Sequence, residues 1–168
     1  MTLILSGTNG VSDIDGSAAT PAIRGTDANT GIFFPAADTI AFAEGGVESM
    51  RLDSSANLQF NSGYGSVATA YGCRAWVNFN GTGTVAIRAS GNVTSLTDNG
   101  TGDYTVNFTT AMPDANYSAV YGSGEGTATS GLRVAASSGN TTTTSRIAIR
   151  NLSNSLQDAE VICVSVFR

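Results

Sequence analysis

An all-β fold is predicted, on three observations. No window sustains apolar residues at the i, i+3, i+4, i+7 spacing of an amphipathic helix. Apolar residues alternate in short runs, with Gly, Asn, Asp and Ser clustered between them. Gly accounts for 20 of 168 residues and charged residues for only 12%, against roughly 25% in an average soluble protein. With 41% hydrophobic residues, the chain still has the apolar content that a packed core requires.

The candidate strands fall into two groups. Within residues 1–70 they are 31–35, 39–43, 47–52 and 58–60, separated by the turn-like "PAAD", "EGG" and "DSSAN". Each run is short, and large apolar residues are few. A unit of about 70 residues built this way buries little surface alone and depends on disulfides, metals or association. Association with identical chains is the expectation here. "NSGYGSVATAYG" (61–72) reads as a linker.

Residues 71–168 read as a compact β domain. Its candidate strands are 74–79, 84–89, 104–109, 117–121, 131–136, 145–151 and 159–167. About seven strands with turn signals every 8–12 residues predict an antiparallel β-sandwich, Greek-key or jelly-roll-like. In "YTVNFTT", Tyr104, Val106 and Phe108 share one face. "AEVICVSVFR" is apolar on both faces, the pattern of a central strand.

The motifs favour turns over chemistry. "NGTG" occurs at 80–83 and again at 99–102. The first lies between two alternating runs, where Asn-Gly is a hairpin signal. The second precedes a strand, and neither opens a helix that could hold a phosphate. "DIDG" (13–16) lacks the later ligands of a calcium loop and reads as a polar turn. "GSGEG" (122–126) follows a strand without a helix after it and reads as a flexible loop. The N-x-S/T triplets are chance matches in a chain rich in Ser and Thr.

Composition narrows the function classes. There is no His, which removes the commonest general base and metal ligand. No metal site and no cofactor are expected. Net charge is −5, all eight basic residues are Arg, and no basic stripe exists. Nucleic-acid and polybasic membrane binding are therefore not expected. "MTLIL" does not read as an export signal. Cys73 and Cys163 have two readings, a disulfide or two small buried apolar residues, and the apolar run around Cys163 favours burial. The carboxylates at Asp98, Asp103, Asp114, Glu125, Asp158 and Glu160 sit mostly in turn contexts, and their spacing implies no facing pair. Trp76, Tyr104, Tyr117 and Tyr121 could stack on sugar rings if exposed, but Trp76 lies on an alternating strand and reads as core.

Two segments carry a resemblance. "TPAIRGTDANTGIFFPAADTIAFAEGGVESMRLDSSANLQF" (20–60) resembles a recurrent shaft-type segment of tailed-bacteriophage fibres. "RAWVNFNGTGTVAIRASGNVTSLTDNGTGDYTVNFTTAMPDANYSAV" (74–120) is similar to a domain found near the C-terminus of phage tail fibres. The resemblance implies a parallel homotrimer, with short N-terminal strands intertwined in a trimeric shaft (1–70) that attaches to other virion proteins, and a C-terminal tip (71–168). It implies a virion protein assembled in the host cytoplasm, without enzymatic activity, that adheres to a host-surface glycan or protein. The alternatives are a head fibre or capsid decoration protein without a dedicated receptor and, third, a polysaccharide depolymerase. Tip loops 123–125, 139–142 and 151–155 combine small polar residues with exposed backbone. Ser123, Glu125, Asn140, Thr142 and Asn154 are the candidate receptor contacts.

Overall fold

The computed structural model describes residues 5–6, 10–11, 14–124 and 133–168. Among the described residues the regular elements are all strands, in antiparallel sheets, and no barrel closes. The chain divides into two compact units, 1–70 and 71–168.

In the first unit, β1 (Leu5–Ser6) pairs with β2 (Gly10–Val11). A six-stranded sheet follows: β3 (Ile23–Arg24), β4 (Gly31–Phe33), β5 (Ile40–Glu44), β6 (Val47–Leu52), β7 (Leu58–Phe60) and β8 (Ala68–Thr69). Each strand pairs with the next in sequence. The turn from β6 to β7 shows why the chain reverses there. The Asp53 carboxylate accepts the backbone N–H groups of Ser55 and Asn57, each at 2.9 Å, as an Asx turn does. The sequence reading missed β3 and β8, which have two residues each. The stretch read as a linker folds back instead, placing Thr69 opposite Gln59.

The two faces of this sheet differ. Register places Ile23, Ile32, Phe42, Met50, Phe60 and Ala68 in one row across the strands. Ile40, Leu52 and Leu58 form a second row on the same face. Neither row contains a charge, and Ile23, Ile40, Met50, Leu52, Leu58 and Phe60 are exposed. The opposite face buries Phe33, Ala41 and Ala43 with help from Ala18. Residues 15–22 reach that face because the Phe34 N–H donates to the Asp15 carbonyl at 2.8 Å.

The second unit contains β9 (Cys73–Asn80), β10 (Ala86–Gly91), β11 (Val93–Asp98), β12 (Asp103–Phe108), β13 (Ser118–Gly124), β14 (Val134–Asn140), β15 (Thr144–Arg150) and β16 (Val161–Phe167). They form two four-stranded sheets, ordered β10-β9-β16-β13 and β11-β12-β15-β14. Alternate residues of both sheets meet in one core. Ala75, Val77, Phe79, Ile162, Val164 and Val166 come from the first sheet; Tyr104, Val106, Phe108, Ile147 and Ile149 come from the second. Phe79 and Tyr104 meet edge to face across it, ring centroids 5.3 Å apart.

Four expectations need correction. The strand β11, "VTSLTD", was missed because its outward residues are polar and its apolar pair is short. β16 is central as expected but buried on one face only: Ile162, Val164 and Val166 point inward, while Cys163 and Phe167 are exposed. Both cysteines are exposed and free, so neither the disulfide nor the buried pair holds. Trp76 is not core: it alternates with buried Ala75 and Val77 and faces outward, 43% exposed.

This core assignment sets a stability contrast. Phe79→Ala should cost the second unit about 3–5 kcal/mol through transfer and cavity terms. Leu152→Ala, at a side chain 75% exposed, should stay within about 0.5 kcal/mol. Urea unfolding followed by the fluorescence of Trp76, the chain's single tryptophan, measures both. Equal losses would overturn the assignment.

Candidate functional site

The loops of the sandwich gather at two ends. Strand β9 starts beside Phe167 and finishes beside Ile162, which defines an entry end and a far end. The far end carries 81–85, 99–102 and 151–160. The entry end carries 92, 109–117 and 141–143.

Tyr104 anchors the far end from the core. Its side chain is fully buried, and its hydroxyl lies 2.6 Å from Asp158 Oδ1 and 2.7 Å from the Gly81 carbonyl. Asp158 Oδ1 also accepts the Gly102 N–H at 2.7 Å. Burial, then the Asp158 carboxylate, pushes the Tyr104 phenol well above its ordinary pKa. Gly102 has φ +65°, and a Cβ there would meet the Gln157 nitrogen at 2.5 Å. Only glycine fits this position in the second "NGTG". The first "NGTG" is also a hairpin loop, between β9 and β10, but Asn80 stays in β9 and its side chain holds Thr82 and Thr84.

The entry end has its own polar chain. Tyr121 Oη lies 3.1 Å from Ser145 Oγ, and the fully buried Ser145 hydroxyl donates to Asn140 Oδ1 at 3.1 Å. Asn92, at φ 56°, ties the sheets together: its amide donates to the carbonyls of Arg74 and Thr110.

These ends separate the candidate contacts. Ser123 lies within β13, opposite Ile162, because the ladder with β16 continues through Gly122 and Gly124. It is a strand residue near the far end, not a loop residue. Asn154 is exposed at the far end in the expected turn, where Asn151 Oδ1 accepts the Ser153 and Ser155 N–H groups. Asn140 closes β14 at the entry end, with its side chain engaged by Ser145. Thr142 is exposed in the adjoining turn. Glu125 lies outside the described residues. The five positions therefore do not converge on one patch.

The carboxylates are held in local bonds. Asp98 accepts the Gly100 N–H, Asp103 pairs with Arg146 through two contacts of 2.8 and 2.5 Å, and Asp114 pairs with Arg168. Among the described residues no cluster of metal-ligating side chains forms. In the first unit, a cleft of about 610 Å³ opens between Asp38, Ile40, Leu52 and Asp53, but Asp53 is occupied by its turn. Sequence reasoning passed over Arg74 and Asn78, which share the outer face of β9 with Trp76. The signal was the strand alternation, applied to the wrong face.

Several carboxyls are held below their ordinary value: Asp103 by Arg146, Asp53 chiefly by the Asn57 N–H, and Asp114 chiefly by the Asn116 N–H. A lowered folded pKa contributes stability that is present above the unfolded value and lost as pH falls through the folded value. Without histidine, no side chain has an ordinary pKa between about 5 and 8. The Tm should therefore stay flat from about pH 5 to 8 and fall below about pH 4. Arg146→Gln should flatten the acid slope, and an unchanged slope would count against the Asp103 pair. Scanning calorimetry across pH checks both.

No family model matches the chain, and no curated protein matches it. Among solved structures, the chain is similar to the crystal structure of the phiAB6 tailspike in complex with three-repeated oligosaccharides of Acinetobacter baumannii surface polysaccharide, at 14% identity and a TM-score of 0.44, over 90% of this chain and 38% of that one.

Proposed function

We propose that the chain is a structural fibre protein of a tailed-phage virion, in which residues 1–70 assemble with two further copies and residues 71–168 present a host-adhesion surface. The observation that carries this reading is the pair of uncharged apolar rows, largely exposed, on one face of the six-stranded sheet. Six strands about 4.8 Å apart make its longest row roughly 24 Å wide. Monomers rarely leave so continuous an apolar surface in water. Among the described residues only Phe33, Ala41 and Ala43 form the buried cluster on the other side, so the unit gains its missing core from equivalent faces of other chains. The resemblance of residues 20–60 and 74–120 to phage fibre segments supports the same reading.

The adhesion role follows from the second unit's organisation. Its core is complete within one chain, which leaves its outer surfaces available for a host glycan or protein. Adhesion through three tips per fibre gains avidity, by about 10²–10⁴ in favourable geometry. The carboxylates engaged in ion pairs and turns favour a binding protein over a depolymerase. Attachment to other virion proteins would fall to the N-terminal part, after assembly in the host cytoplasm.

Light scattering tests the assembly. The intact protein should have the mass of three 17.1 kDa chains. Met50→Glu combined with Phe60→Glu should give a monomer, with the β signal of the second unit kept. A monomeric wild-type protein would overturn the trimer.

Adsorption tests the adhesion. Labelled trimer should bind intact host cells saturably and block infection. A correctly assembled trimer that does not bind would move the assignment to a head fibre or capsid decoration protein.

A further inference from the structure

Trp76 has an unusual setting. It stands on the outer face of the first sheet of the sandwich, with Gly91 opposite on β10 and Ser165 opposite on β16. A Cβ on Gly91 would lie 2.5 Å from Trp76 Nε1 and 3.0 Å from Cδ1. The indole therefore rests against bare glycine backbone, which props the ring and limits its rotamers. The next positions on that face are Ala89, Asn78, Cys163 and Gly122. Small side chains thus flank one side of a large aromatic ring that is 43% exposed, while exposed Phe167 and, beyond Ser165, Val120 share the face on its other side.

A cation stands beside it. Arg74 precedes Trp76 by two residues on the same strand, so it shares the face at about 7 Å spacing. Arg24, Arg88, Arg133 and Arg150 donate to carbonyls, and Arg51, Arg146 and Arg168 pair with carboxylates. Arg74 alone among the arginines makes no side-chain hydrogen bond or ion pair among the described residues. On the other side of the ring, the Asn78 amide N–H donates to Cys163 Sγ at 3.1 Å.

We propose that Arg74, Trp76 and Asn78 form a subsite for an acidic oligosaccharide. The indole takes the C–H face of a pyranose ring, whose hydrogens meet the negative face of the aromatic system. Arg74 receives a sugar carboxylate, for which the guanidinium fork is matched. Asn78 and Ser165 serve the hydroxyls. Charge complementarity argues for this occupant: a guanidinium with no partner among the described residues is matched to a carboxylate, and the half-exposed indole beside it to the flat face of a sugar ring. The subsite rests on the adhesion reading and moves the contact from the loops to the flank of the sandwich.

The chain's single tryptophan is its own probe. Intact protein is titrated with alginate hexasaccharide, hyaluronan hexasaccharide and sialyllactose, with maltohexaose as the neutral comparison. Saturable change in Trp76 emission with an acidic sugar is expected, weakening as salt rises. Arg74→Gln should weaken it about tenfold or more, with unchanged circular dichroism, while Arg150→Gln leaves it intact. Calorimetry with Trp76→Phe should give weakened binding of the same sugar. No response to any acidic sugar, an equal response to maltohexaose, or binding unaltered in Arg74→Gln would overturn the subsite. So would an emission change on dilution of the protein alone, which would make this face an interface between copies. Host adsorption separates the two readings: if Arg74→Gln adsorbs like wild type, adhesion stands and the subsite falls. If wild type itself does not adsorb, the adhesion reading falls.

Discussion

A β-sheet has two faces, and an antiparallel sheet must cover at least one of them. The whole chain is organised by how its sheets meet that requirement. In residues 71–168 two four-stranded sheets cover each other, and alternate side chains of β9, β12, β15 and β16 fill the space between. Among the described residues of the first unit, a six-stranded meander buries Phe33, Ala41 and Ala43 with Ala18 on one face, while two rows of its other face expose apolar side chains. One unit is self-sufficient, and the other has its hydrophobic requirement still open. The proposed roles in assembly and adhesion divide along that line.

The sandwich holds its ends by polar pins rather than by loop length. Tyr104 reaches out of the core to Asp158 and Gly81 at one end. Ser145 and Asn140 perform the equivalent task at the other. Buried hydroxyls need partners, and these partners lie on loops or, for Asn140, at a strand end, so satisfying the core also positions the ends of the sandwich. Asn140 illustrates the cost of that arrangement for recognition: an amide committed to a buried hydroxyl has less to offer a ligand. The outer face of β9 is under no such demand, because strand pairing already satisfies its backbone and the core claims only the inward side chains.

Most of the second unit was legible from two-residue periodicity. "YTVNFTT" placed Tyr104, Val106 and Phe108 on one face, and all three are buried. Periodicity tells which residues travel together but not which set faces inward, and that ambiguity explains the error at Trp76. In "RAWVNF" the two sets are Ala75, Val77 and Phe79 against Arg74, Trp76 and Asn78. Trp is the largest apolar residue present, yet the set with three apolar members went inside. Cys163 was misread for the same reason, in a run where both sets look apolar.

Local chemistry in the sequence alone determined most of the longer strands, the turns and the absence of helical segments among the described residues. Those depend on alternation and on Asn, Asp and Gly at reversals, which neighbours in sequence decide. The pairing of β9 with β16, the recruitment of residues 68–69 as an edge strand and the meeting of Gly91 with Trp76 were decided only in the tertiary structure. They join residues distant along the chain. Their cause is the burial of surface between sheets, a quantity that no short stretch of sequence contains.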